Sequence, residues 1–490
     1  MQKQFIQLSL FLIFCAYTNA VEFKADCTTT SECTALYTDS YVCVNSFCEH
    51  EPVSFADPIQ ITGLVVLIIV SALANAGGIG GGALIIPVYM FIFDYTVGHS
   101  VPLSKATILA GAIVNIIMIV NQRNPNNKNQ LLVDYKVGTF IVPLILAGTM
   151  IGVLFTKMLP SIVIFVVLVL YLIYSTIKTF IKARKLFKKE TIKKLEAEEF
   201  KQQAEDNKAE RGFDSGVEEK SLQEMEPSDL EIKVEEKLVR KKSLCSLLKE
   251  YIIHILVCIF CYIVLLVVSL MRGGKGTDSI IGLDKCSAVS WILFVVTQFI
   301  CLGGSLFLYF MEKRKVKKEE PVTNPKEEEE TDDSAQTVDT QSSVRSAAEN
   351  VKLMKLLFFN SYLAGILAGT LGIGGGLVIN PVLIKLNIMP EVSAAISGFV
   401  VLFTSLATTT QFLIVGAFEV DAVIYFLVAS AVGSVLGNIV IIKIMKKYQR
   451  PSLIVWLLFF LLLCSAVVLP LVGGMKIFGE DSLFKFGSAC

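Results

Sequence analysis

The chain is 490 residues long, 53% hydrophobic and 18% charged, with 44 Lys and Arg balanced by 44 Asp and Glu. A mean hydropathy of +0.63 excludes an ordinary soluble domain, and a net charge of zero lacks the basic footprint of a nucleic-acid partner. Windows of roughly twenty nearly uncharged residues, enough to cross a hydrocarbon core of about 30 Å, recur from end to end and predict an all-α polytopic membrane protein in a lipid bilayer.

Residues 1–20 read as a signal peptide: Lys3 precedes the apolar run from Phe5 to Tyr17, and small residues lead up to Ala20. An uncleaved signal anchor is the alternative. Either way the chain enters the secretory pathway, toward the plasma membrane or an endomembrane, and residues 21–57 are extracytoplasmic. That segment carries Cys27, Cys33, Cys43 and Cys48, a density that in an oxidising compartment predicts two disulfides of undetermined pairing. A zinc knuckle using His50 is the competing reading. Cys258 and Cys261 are spaced as CxxC inside an apolar run, where packing is the default role.

Apolar segments follow at about 59–76, 80–93, 102–121, 137–156 and 161–181. The second is short enough that it need not cross the bilayer. A charged stretch at 182–250 is expected to form a solvated helix and then disorder, and a central helix pair occupies 251–311. A second charged stretch at 312–352 reads as disordered. Further segments lie near 355–371, 376–388, 392–415, 422–443 and 452–473, followed by a tail at 475–490.

Lys and Arg placement sets the orientation. Lys182, Arg184, Lys185, Lys188 and Lys189 leave one apolar segment, Arg240 to Lys242 approach another, and Lys313 to Lys318 form a third basic flank. The positive-inside rule puts both long charged loops in the cytosol. Their Ser and Thr residues make them candidate regulatory and protein-binding segments, a role that deletion of Thr331 to Ser346 would test. The first half then enters from outside and the second from inside, as inverted repeats do.

Two near-copies carry the functional argument: GIGGGALIIPV at 78–88 and GIGGGLVINPV at 372–382. The landmarks around them keep their order. Leu73 and Ala74 match Leu367 and Ala368, Pro102 and Ala106 match Pro390 and Ala394, and Val133-Asp134 matches Val420-Asp421. Gly148 and Gly152 match Gly433 and Gly437, each pair a GxxxG spacing that suits close helix packing. Glycine and proline inside membrane segments mark broken helices at a binding site. A helix restarting after glycine presents N–H groups and a partial positive charge, suited to a sulfonate or carboxylate. Gly78, Gly80, Gly81 and Gly82 would form one cradle and Gly372, Gly374, Gly375 and Gly376 its partner. The alternative is that these glycines only permit tight helix crossing. Pro87 and Pro381 shape the helices that follow.

At these motifs the chain resembles the TauE/SafE sulfite exporters, also described as the toluene-sulfonate-uptake type. The resemblance covers about 58–181 and 353–473, which would be its two repeats (58–181 and 353–474). It implies two homologous halves and movement of small sulfur-containing anions such as sulfite or sulfonates. The signal peptide, cysteine segment, central pair and charged loops depart from the compact bacterial pattern and resemble eukaryotic members.

Polar side chains within the apolar segments complete the candidate substrate site. Lys105 is either an anion contact or a snorkelling anchor near the outer start of its helix. Asn75 and Asn115, with Asn380, Ser397, Thr404, Ser405, Thr408 and Gln411, would line a pathway, although hydroxyls in helices often bond their own backbone. Asp134 and Asp421 sit at membrane boundaries as helix caps or carriers of a coupling proton. His99 falls in a short outer loop and His254 opens a central helix, neither with neighbours suited to a metal. No catalytic set or GxxxxGK[ST] loop is present, so no enzyme, metal or cofactor is expected. The leading reading is a secondary transporter of a small anion by alternating access. Transport of an amino acid or a cation, and a receptor or sensor built on the same fold, are the alternatives.

Overall fold

In the computed structural model, the structure describes residues 27–36, 40–44, 47–51, 57–124, 130–211, 251–273, 279–282, 287–319, 351–386, 388–417, 420–448 and 452–473. The expected signal peptide, most of the second charged loop and the C-terminal tail lie outside these residues. A small cap comes first: α1 (Thr30–Leu36), then the antiparallel hairpin β1 (Tyr41–Val44) and β2 (Phe47–His50). Twelve helices follow. In the first half these are α2 (Pro58–Ala76), α3 (Gly82–Phe91), α4 (Val97–Ile119), α5 (Tyr135–Met158) and α6 (Ser161–Arg211). The central pair is α7 (Ile252–Arg272) and α8 (Ala288–Glu319), and the second half holds α9 (Val351–Leu371), α10 (Gly376–Lys385), α11 (Pro390–Val415), α12 (Val420–Tyr448) and α13 (Ser452–Val468).

Among the described residues, eight helices are long and apolar enough to cross a membrane. The two that follow the glycine motifs, α3 and α10, have only ten residues each, about 15 Å of helix and half a hydrocarbon core. Local chemistry sets the ends. Asp57 starts α2 by accepting from Ile59 N at 2.9 Å ahead of a proline at the first helical position, and Gly416 stops α11 in a left-handed conformation, φ 79°. Helix α6 continues through the charged stretch to Arg211, consistent with the helix-favouring Lys and Glu there.

Helix α5 lies at the centre of the largest core, where Ile141, Leu144 and Ile145 are fully buried. It packs against α9, α11 and the central pair. The central pair is hydrogen-bonded to it by Gln298 Nε2 donating to Ala147 O (3.1 Å) and Ser305 Oγ to Phe140 O (2.8 Å), while Phe260, Phe299 and Phe307 are exposed on the outside, a face for lipid. Cys258 donates to Thr139 O.

The halves pack by exchange: α5 crosses α9, and α12 crosses α2. Small residues permit both crossings. A Cβ at Gly148 or Gly152 would collide with Tyr362 O or Ile366 O, and one at Gly433 or Gly437 with Ile68 O or Ala72 O. Gly365 and Gly369, a third GxxxG pair, oppose Gly148 and Gly152.

In the cap, Cys27 Sγ lies at bonding distance from Cys43 Sγ (1.99 Å) and Cys33 Sγ from Cys48 Sγ (1.97 Å). That pairing also gathers the sulfurs of Cys27, Cys33 and Cys48 within 4.8 Å. His50 is not among them. Its ring stacks on Tyr95 at 4.0 Å, and its two nitrogens lie 2.8 Å from Glu51 O and 2.7 Å from Phe93 O. Burial pushes its imidazole below the usual histidine range, against the opposing pull of those two carbonyls. Ser40 and Tyr41 also reach the body, through Asp94 (3.0 Å) and His99 Nδ1 (3.1 Å). His99 is therefore not a loop residue: it sits in the first turn of α4, buried, with Thr96 Oγ1 2.8 Å from the same nitrogen. The helix starts at Val97, ahead of Pro102, with Ser100 N bonding Thr96 O at 2.9 Å, so the expected loop is its first turn.

Candidate functional site

After α2 the chain needs three left-handed glycines in four residues, Gly78 (φ 66°), Gly80 (φ 81°) and Gly81 (φ 76°), before α3 begins at Gly82. After α9 it needs one, Gly372 (φ 70°); Gly375 is right-handed at φ −53°. The near-identical motifs thus adopt different backbone paths.

The two breaks lie against each other. A Cβ on Gly82 would collide with Gly372 O, and one on Gly376 with Gly78 O; Gly80 and Gly374 approach each other backbone to backbone. These contacts are reciprocal, because Gly82 and Gly376 hold the same place in the two motifs, as do Gly78 and Gly372. These glycines permit a close crossing of the two breaks, which places two helix N-termini together. In the first turn of α3, the N–H groups of Gly82 and Ala83 have no intrahelical acceptor. Leu84 N and Ile85 N both bond Gly81 O at 2.9 Å.

Lys105, in the middle stretch of α4, is fully buried. Its Nζ donates to Ile373 O at 2.7 Å, inside the second glycine motif. A snorkelling position is overturned: the side chain is sealed within the protein instead of reaching the surface. Among the described residues no carboxylate lies within ion-pair distance of it. Ser104, its neighbour, donates to Val101 O (2.7 Å) and to Gly372 O (3.2 Å). By the alignment of Pro102 with Pro390, the position matching Lys105 in the second half is Ser393, which donates to Asn380 Oδ1 at 2.6 Å. The cation is present in one half only.

The remaining candidates divide. Asn380 is at the crossing, with Nδ2 donating to Gly77 O at 3.3 Å. Ser397 is also there: its backbone oxygen lies against Gly376, and its buried hydroxyl has no hydrogen-bond partner among the described residues. Thr404 packs its methyl near Gly375 but spends its hydroxyl on Val401 O at 3.0 Å. Asn75 bonds Ser71 O (3.0 Å) and Asn115 accepts from Asn438 (3.1 Å). Both asparagines serve helix contacts there, Asn75 at Gly111 and Asn115 at Gly398.

Asp134 caps α5, its Oδ1 accepting from Lys136 N (3.0 Å) and Val137 N (3.4 Å). Burial pushes its carboxyl above the usual range, against those two bonds. Asp421 falls in the first turn of α12, and its side chain lies outside the described residues. Ser405 and Thr408 bond their own helix backbone, whereas Gln411 reaches Thr149 Oγ1 at 3.5 Å.

A small cavity of about 40 Å³ adjoins the crossing, bounded by Gly77, Ile79, Asn380 and Pro381 and, on α6, by Thr179 and Lys182. Sequence reasoning treated Lys182 only as a basic flank; nothing in its local sequence ties it to the glycine motifs.

The sequence model of the sulfite exporter TauE/SafE family matches residues 63–214 and 244–469. The chain is 26% identical over 420 residues to sulfite exporter TauE/SafE family protein 1 of Arabidopsis thaliana, covering 86% of this chain and 85% of that protein. It is 26% identical to family protein 2 (84% and 82% covered) and 22% identical to family protein 3 (87% and 83%) of the same plant. No solved structure matches it.

Proposed function

Because the chain belongs to the sulfite exporter TauE/SafE family and is thus a membrane transporter and not an enzyme, we propose that it carries a small anion, a sulfur oxyanion or simple organosulfonate, past the crossing of the two glycine breaks. The observation that carries this reading is Lys105. An ammonium has three donors, and this fully buried lysine amine has, among the described residues, a single acceptor, Ile373 O, at 2.7 Å. An uncompensated buried cation is costly unless an anion joins it. The helix N-termini at Gly82 and Gly376 add partial positive charge at the same place. A cation cargo is disfavoured by that field.

The two halves act as inverted repeats that rock about the crossing, giving alternating access. Supporting this are the exchanged helix pairs, α5 with α9 and α12 with α2, and the reciprocal glycine contacts. The cysteine cap is extracytoplasmic and the charged loops cytosolic, as the basic flanks indicate. The Asp134 and Asp421 pair is retained as a candidate for proton coupling, with Asp134 also acting as a cap. Uptake of labelled sulfite and of a simple sulfonate into proteoliposomes, with and without a proton gradient, tests the reading. Saturable flux supports it, and absence of flux from folded protein across a broad anion panel defeats it.

A further inference from the structure

We infer that Phe426 is the gate on the cap side of the protein, a ring of the second half closed against Tyr89, Phe93 and Tyr95 of the first, and that the docked cap is the lid that holds it shut. The inference rests on the proposed rocking of the two halves and names a contact that such a movement must break. Phe426, in the second turn of α12, is fully buried. Its ring centre lies 4.8 Å from that of Tyr89, 4.8 Å from that of Phe93 and 6.3 Å from that of Tyr95. Tyr89 belongs to α3, Phe93 and Tyr95 follow its end, and Tyr95 N donates to Tyr89 O at 3.0 Å, so one turn of chain presents all three rings. Aromatic pairs at these spacings attract one another beyond the area they bury. Each pair that includes Phe426 joins one half to the other.

The cap sits on this cluster. His50 stacks on Tyr95 with ring centres 4.0 Å apart, and its Nε2 lies 2.7 Å from Phe93 O. Ser40 Oγ donates to Asp94 Oδ2 at 3.0 Å, and Asp94 is left-handed without being glycine, φ 58°. Such a conformation is costly and persists only where its surroundings hold it. Cap residues therefore fix the turn that carries Phe93 and Tyr95.

Position gives the cluster its role. Tyr89 OH bonds Thr107 Oγ1 on α4, two residues beyond Lys105, so the rings run from the cap to the depth of that lysine. Helices α4, α5 and α6 are each long and apolar enough to cross a membrane, which puts Lys182 on the side away from the cap. The cavity at the crossing is lined there by Lys182 and by Ile384, near the end of α10. Space beside the glycine breaks on one side, with packed rings under a lid on the other, is the arrangement that alternating access requires of a state closed toward the cap.

The test places a cysteine behind the gate, Thr107→Cys, in the full chain in proteoliposomes treated with a membrane-impermeant cationic methanethiosulfonate. Labelling is read as the difference from the chain without that cysteine. It should be slow, and adding Phe426→Ala should speed it about ten-fold, as loss of the aromatic contacts between the halves does. His50→Ala leaves Phe426 in place and should speed it about five-fold by freeing the cap. That variant lies outside the membrane helices and serves if the Phe426 variant fails to fold. Thr149→Cys, buried where α5 crosses α9, should stay unlabelled in both backgrounds. Unchanged labelling at Thr107→Cys, or an equal rise at Thr149→Cys, makes the rings part of a packed core and overturns the gate. A rise with Phe426→Ala and none with His50→Ala overturns the lid. Absence of saturable sulfite flux in the wild type, measured without any labelling, removes the rocking reading and this inference with it.

Discussion

Replacing Lys105 with Met should abolish most transport and leave the protein at least as stable. As an ammonium, Lys105 is fully buried with one acceptor, at 2.7 Å, among the described residues. Desolvating such an ion costs several kcal/mol even after relaxation, and its charge-assisted bond to Ile373 O returns about 1.5–3 kcal/mol. Methionine fills similar volume without the charge, so the desolvation cost disappears. The change leaves Ile373 O without that donor, at about 1–3 kcal/mol. The two effects nearly offset, and the net change in stability should be close to zero or favourable. Transport behaves differently, because a bound anion would lose a contact worth about 1.5–3 kcal/mol, a weakening of roughly 10- to 150-fold. The assay pairs sulfite flux in proteoliposomes with thermal unfolding of the same purified protein. Unchanged flux, or a marked drop in the unfolding midpoint, would show that Lys105 is a structural strut and refute the reasoning.

Alanine at Gly82 should destabilise the fold by about 3 kcal/mol, the upper end of overpacking costs, because its Cβ meets the backbone oxygen of Gly372, whereas Gly375→Ala, which meets only the Thr404 side chain at 3.1 Å, should cost about 1 kcal/mol or less; unfolding midpoints of the two variants compare them. Non-reducing peptide mapping should recover Cys27 with Cys43 and Cys33 with Cys48, and any other pairing would contradict the arrangement of the cap. Docking of the cap should weaken in acid. The folded-state pKa of His50 is depressed, chiefly by burial, so its contribution is complete above the unfolded value of about 6.5 and declines as pH falls below it. Amide exchange in β1 and β2 should accelerate between pH 7.5 and pH 5, and a pH-independent rate ratio to neighbouring helices would argue against it.

Much of this protein could be read from its sequence. Hydrophobic runs located all twelve helical segments, since a span must satisfy its backbone internally and its length is tied to the bilayer. The GIGGG copies marked both helix breaks, because glycine alone takes the left-handed conformations found at Gly78, Gly80, Gly81 and Gly372. The family followed from the same motifs. Local pattern could not fix what depends on neighbours distant in the chain. Lys105 near a helix start is equally compatible with snorkelling and with burial, and only the seating of the break between α9 and α10 against α4 sealed it at Ile373. Asn75 and Asn115 read as pathway residues until Ser71, Asn438 and two facing glycines showed them holding helices together. His99 met the cap residue Tyr41 only through the docking of a cap that lies before it in the chain, and Lys182 lines the cavity because α6 lies beside the crossing. Periodicity and glycine content are local properties of the chain, so the sequence alone determined the class, the segments and the breaks. Burial and hydrogen-bond partners depend on which surfaces meet, so the tertiary structure alone decided which polar groups came together at the crossing.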